Sequence, residues 1–171
     1  MKINAAQVLL LVILVTSSSC VTKRQRGSWQ EYPLFPLYYH FSVSDVTVLI
    51  DHVREENIAQ QIYRIAGTYI ESRQNITRYG DNILLLDIIV EQRSFMQNVE
   101  MYNSIYVSCI ARDADGNIYA CENEYISGKN TFISVPEQNI IITRVLKRFL
   151  SNQQQRYNDI IKYEKKLAKE I

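Results

Sequence analysis

Asp113-Ala114-Asp115-Gly116 sits between two runs, Tyr102 to Arg112 and Asn117 to Ser127, that contain many branched and aromatic residues and no proline. Aspartate tolerates, and glycine supplies, the left-handed backbone that a tight reversal requires, so the segment predicts a β-hairpin closed by Asp113 and Asn117. A lone hairpin is marginal in water. It needs further strands or a helix to cover its apolar face.

The flanking sequence offers both. From Asp45 to Asp51, Val46, Val48 and Ile50 alternate with Thr47 and Leu49, which is strand periodicity. Ile58, Ile62, Ile65, Ala66, Tyr69 and Ile70 then recur at three- and four-residue steps and predict a helix, with Glu55 and Glu56 at its dipole-positive start. Ile83 to Val90, broken only by Asp87, predicts a central strand buried on both faces. Ser134 and Glu137 have capping-box spacing and Pro136 falls in the first turn, so a second helix starts there with the stripe Ile140, Ile141, Val145, Leu146, Phe149 and Leu150. Past Ser151 the chain turns polar, and only Tyr157, Ile160, Ile161 and Leu167 keep a rough stripe. Such a half-apolar helix is either a solvated extension or a partner-binding face. The expected fold is an α+β two-layer sandwich: about four strands, mostly antiparallel, with two helices on one face, in the order β-α-β-β-β-α. Residues 42–150 form this domain and residues 151–171 a helical tail.

Ahead of the domain, Lys2 precedes an apolar run from Val8 to Val15, then Thr16, Ser17, Ser18, Ser19 and Cys20. The run is well short of the roughly 20 residues that cross a bilayer as a helix, so residues 1–19 read as a signal peptide. This start resembles bacterial lipoprotein signal peptides, with Ser17 where leucine is usual and Ser19 where glycine or alanine is commoner. The resemblance implies that Cys20 becomes the first mature residue and carries fatty acyl chains such as palmitate. Ordinary cleavage after Ser19 and an uncleaved anchor are the two other readings. Residues 20–41 then form the anchor and an aromatic tether: Trp29, Tyr32, Phe35, Tyr38, Tyr39 and Phe41 accompany Pro33 and Pro36, and pack either on the domain or at the membrane interface. Lys23, Arg24 and Arg26 would lie near lipid headgroups or form a solvated basic tether.

A net charge of +1 from 19 basic and 18 acidic residues gives no electrostatic footprint for nucleic acid. Of three cysteines, acylation of Cys20 leaves Cys109 and Cys121. Counting outward from the turn sets these two opposite one another, as a disulfide or as a reduced pair. Catalytic patterns are missing from the sequence: it has no Gly-x-Ser-x-Gly, no phosphate-binding glycine loop and no His-Glu-x-x-His. His40 and His52 are the two histidines, and Asp51 beside His52 is a poor relay, because strand neighbours face opposite ways. Asp113, Asp115 and Asn117 do not make a calcium loop, because Gly116 comes before the third ligand position and not after it. No enzymatic activity, cofactor or metal is expected.

The lipobox-like start, the order of elements and the Asp-x-Asp-Gly hairpin resemble small envelope lipoproteins of transport machines. Among these are the lipopolysaccharide-assembly lipoprotein that plugs an outer-membrane barrel and the auxiliary lipoproteins of lipid-trafficking ABC systems. The resemblance implies a non-catalytic accessory or docking subunit, lipid-anchored in the bacterial envelope at the outer membrane facing the periplasm, with an envelope protein as partner. Two other readings remain: a module binding a lipid or peptide between helices and sheet, and a regulator of a cell-wall enzyme.

Overall fold

The computed structural model describes residues 23–30, 39–73, 82–129 and 134–170. The expected signal over 1–19, Cys20 and the tether residues Tyr32 to Tyr38 lie outside the described residues. Eight elements follow in order: β1 (Lys23–Gln30), β2 (Tyr39–Ile50), β3 (Val53–Arg54), α1 (Glu56–Glu71), β4 (Asn82–Gln97), β5 (Glu100–Arg112), β6 (Ile118–Lys129) and α2 (Val135–Glu170).

The strands form one six-stranded sheet in the order β1-β6-β5-β4-β2-β3. The expected sheet of about four mostly antiparallel strands is therefore corrected to a mixed one of six. The first reason is β1. Lys23 to Gln30 has no apolar alternation and reads as tether, yet it pairs antiparallel with β6 along its whole length, from Lys23 opposite Ser127 to Gln30 opposite Ala120. An edge strand needs only one partner and can be polar throughout. The second reason is the two-residue β3, closed onto β2 by the turn at Asp51 and His52. Parallel pairing of β2 with β4 makes the sheet mixed, as a strand-helix-strand crossover through α1 requires.

Both helices cover one face. Val46 and Val48 of β2, Leu84 to Val90 at alternate positions of β4, and Ile105, Val107, Cys109 and Ala111 of β5 are buried against Ala59, Ile62, Ala66 and Ile70 of α1 and Ile141, Ile142, Val145, Leu146 and Phe149 of α2. The expected helix stripes are each rotated slightly. Ile65 and Ile140 are exposed while Ala59 and Ile142 take core positions. The sheet's other face carries Leu85, Asp87, Ile89 and Glu91 of β4 at half-buried positions, so β4 is fully buried on its helix face alone. One half of the capping box forms at α2: the Ser134 N–H and hydroxyl both donate to the Glu137 carboxylate at 2.8 Å, and the Gln138 N–H donates to the Ser134 carbonyl. α2 continues without a break through the polar stretch to Glu170.

The sheet has two distinct ends. At one, Lys23 begins β1, the Asp51-His52 turn closes β2 on β3, and the β4–β5 hairpin projects. At the other lies the Asp113–Asn117 turn. Since 36 residues of helix span about 54 Å, α2 starts near the first end, where Gln138 donates to Gln92 at 2.7 Å, and runs out past the second.

Candidate functional site

Three features bear on function: the cysteine pair, a charged cluster beneath α2, and a cleft on the sheet's open face. The hairpin turn forms as the sequence predicts. Gly116 adopts φ +89°, the Gly116 N–H donates to the Asp113 carbonyl, and the Asp113 N–H donates to the Asn117 carbonyl. The Asp113 carboxylate accepts from the Asn117 N–H, the Asn117 side-chain amide and the Tyr119 hydroxyl, and the Asn117 and Tyr119 side chains hold its pKa down to about 2.

Counting outward fails two residues later. Arg112 pairs with Ile118 but Ala111 pairs with Ala120, leaving Tyr119 as an extra residue. A bulge of this kind shifts every later pair by one. Ile110 thus faces Cys121, and Cys109 faces Glu122. The expected opposition of Cys109 and Cys121 is corrected: they occupy opposite faces and both thiols are free. Cys109 is buried under the helices, and that burial, with Cys121, Glu122 and Asp87 adding to it, pushes its thiol above the ordinary range. Cys121 is half-buried on the open face, with its Sγ 3.4 Å from the Ser108 hydroxyl. Of these two, a soluble thiol reagent should therefore label Cys121 in the folded protein and Cys109 only on unfolding. Mass spectrometry of native and urea-treated samples checks this; equal labelling would place Cys109 on the surface.

Beneath α2, β6 turns Glu122 and Glu124 toward the helix, and both are buried. Arg24 of β1 reaches the Glu124 carboxylate at 2.6 Å, Arg148 of α2 at 2.5 Å, Arg144 at 3.3 Å and Arg26 at 3.8 Å. Burial pushes the Glu124 carboxyl up, but the Arg148 hydrogen bond and the charges of Arg144 and Arg24 reverse this and hold it below the usual glutamate range. Glu122 accepts from Arg148 and Asn152. This cluster bolts the edge strand β1 and the helix α2 to β6. Its arginines are spent on internal pairing, so Arg24 and Arg26 belong to the sheet and do not form a free basic tether. Two sequence signals point to the cluster: Arg144 and Arg148 four residues apart beside an apolar stripe, and Glu122 and Glu124 on one strand face.

On the open face, one row across the sheet places Glu91, Tyr106 and Tyr125 side by side, and the next places Arg93, Ser104 and Ser127. Apart from Ser127, these residues line a cleft of about 750 Å³ together with Asp51, His52, Ser94 and Phe95. Arg93 donates to Glu91 at 2.8 Å, and the Asp51 carboxylate accepts from the Ser94 N–H at 2.7 Å. Asp51 is thus engaged with backbone and His52 lies on a left-handed turn, so the two do not form a relay. Aromatic rings beside paired charges suit a polar ligand held by stacking and hydrogen bonds. The space between helices and sheet, by contrast, is filled by side chains from both layers.

Of the expected docking residues, Ile161 is half-buried and Leu167 exposed on α2. The side chains of Tyr157 and Ile160 lie outside the described residues. Among the described residues no group of three potential metal ligands occurs, and no helix is long and apolar enough to cross a membrane.

No family model and no curated protein matches the chain. Two solved structures of PelC from Paraburkholderia phytofirmans resemble it. One, a dodecamer, is 12% identical with a TM-score of 0.46, covering 77% of this chain and 98% of that one. The other, a dodecamer of a single-substitution variant, is 14% identical with a TM-score of 0.45, covering 72% of this chain and 95% of that one. A likeness of that strength carries no argument about activity or assembly.

Proposed function

We propose that this chain is a lipoprotein of the bacterial envelope, anchored through Cys20 at the outer membrane and facing the periplasm, that serves as a non-catalytic docking subunit of a transport or assembly machine. The observation that supports this reading is the polarity of the fold. The N-terminal strand enters at one end of the sheet, while α2 carries its half-apolar last turns out of the other. From Asn152, which reaches Glu122, to Glu170 the helix runs about 27 Å. About four strand residues remain below Glu122, or about 13 Å of sheet. The tail therefore extends past the end of the described sheet, away from the end where β1 begins.

A photo-crosslinking residue at Leu167 should give one discrete adduct with an envelope protein in living cells. The same residue at Lys165, on the other side of the helix, should give none. Leu167→Glu should abolish that partner's co-purification and leave the melting temperature within about 2 °C, since exposed substitutions change stability by no more than about 0.5 kcal/mol. Adducts from both positions, or from neither, would remove the docking role. A second reading, a binding module for a polar ligand, draws on the open-face cleft beside Tyr106 and Tyr125.

A further inference from the structure

The β4–β5 hairpin continues past the end of the sheet. β2 leaves β4 at Gln92, and β6 leaves β5 at Tyr102, opposite Lys129. Among the described strands, residues 95–101 therefore pair only with each other, and they present apolar side chains on both faces and at the apex, with Gln97 and Asn98 exposed among them. Phe95 stacks on Tyr102 over one face, with centroids 5.8 Å apart. Met96 and Met101 pair on the reverse, and Val99 stands at the apex, 91% exposed. Glu100, the one charge at the tip, is paired with Lys129.

The apex is strained. Asn98 and Val99 have φ of +50° and +67°, a two-residue turn in which both positions are left-handed and glycine is the usual second residue. A β-branched residue there is a steric outlier, and strain of this kind accumulates where function requires it. Valine contributes nothing to this turn except an exposed apolar surface.

We infer that the tip of the β4–β5 hairpin inserts into the lipid bilayer to which the chain is tethered, as a second membrane contact beside the anchor. Register sets the depth. Lys23 lies level with Ser127, Ser104 and Arg93. From Arg93 to Asn98 the hairpin advances about 16 Å, whereas the three residues back to Cys20 span at most about 10 Å. An acyl chain on Cys20 at the headgroup boundary thus brings Val99 to that boundary or beyond. A bilayer suits this tip better than a protein surface, because side chains on both faces and at the apex need cover together.

The inference rests on the membrane-anchored reading, and its test separates the two. The full chain with its own leader is extracted and reconstituted into phosphatidylethanolamine–phosphatidylglycerol vesicles with brominated acyl chains, as Met96→Trp or as Ala114→Trp in the turn at the sheet's opposite end. With the parent signal subtracted, Met96→Trp should be blue-shifted and quenched several-fold more than Ala114→Trp. Val99→Gly should raise the melting temperature by a few degrees, since it relieves the turn, yet lower the quenching of Met96→Trp. Equal, weak quenching at both sites in vesicle-bound protein overturns the inference. So does a discrete protein adduct from a photo-crosslinker at Val99 with no quenching at Met96→Trp. Mass spectrometry of the same preparation reports lipid on Cys20 independently, and protein held by an uncleaved leader still reads out the tip.

Discussion

Phe149→Ala is expected to cost about 4 kcal/mol, the largest loss from any single truncation in this fold. Phe149 is fully buried and meets Phe41 of β2 edge to face, with centroids 5.2 Å apart and planes at 81°. One ring thus joins the second helix to a strand that reaches the sheet only through the parallel crossover. Truncation forfeits the transfer energy of the ring, opens a cavity between two rigid layers, and removes an aromatic pair worth about 1 kcal/mol by itself. Urea unfolding should show the midpoint fall with the slope unchanged. Ile140→Ala, on the solvent side of the same helix, should change stability by no more than about 0.5 kcal/mol. A loss below about 1.5 kcal/mol at Phe149 would mean that α2 does not seat on the sheet as described.

Glu124→Gln should follow, at about 3 kcal/mol. The carboxylate is fully buried while its arginine partners keep between 22% and 51% of their side-chain surface. Removing the charge strands several guanidiniums around a neutral amide. Their access to water keeps the loss at the lower end of the range for a broken buried pair. The expected fall in melting temperature is about 6 to 12 °C. The same carboxylate sets an acid limit. Its folded pKa lies below the unfolded one, so its contribution is complete above the unfolded value, near pH 4.5, and is lost as pH falls through the folded value. Thermal melts from pH 7 to pH 2 should therefore fall more steeply below about pH 4.5 for the native chain than for Glu124→Gln. Parallel curves would show that the carboxylate is not held charged in the fold.

What the sequence disclosed follows from which forces act locally. The Asp113–Gly116 turn, the α2 capping box and the periodicity of both helices are short-range features, and each lies where its residues place it. The bulge at Tyr119 is different. Nothing in Asn117-Ile118-Tyr119-Ala120 forbids regular pairing, and the extra residue is retained by a hydrogen bond from the Tyr119 hydroxyl back to Asp113. That one extra residue puts Cys121 on the face opposite Cys109. β1 escaped notice because its stability comes from β6, roughly 100 residues later, and from Glu124, an acceptor visible only once the chain is folded. The β4–β5 turn was equally hidden, since Asn98-Val99 breaks the residue preference by which such turns are recognised. The rough apolar spacing late in α2 was legible as a pattern. Its direction away from the first strand was not, because direction belongs to the sheet.

The pairing of β1 with β6 also fixes how the protein bears load. In the proposed orientation, traction enters at Lys23 from the anchor and at the far end of α2 from the partner, so it runs along the axis of β1 and not across it. The eight residue pairs from Lys23–Ser127 to Gln30–Ala120 then resist together, as overlapping tapes resist sliding, and cannot open one at a time as they would if peeled from the side. A strand with almost no apolar character would thereby become the most force-resistant joint in the molecule, able to keep the domain attached while its partner moves.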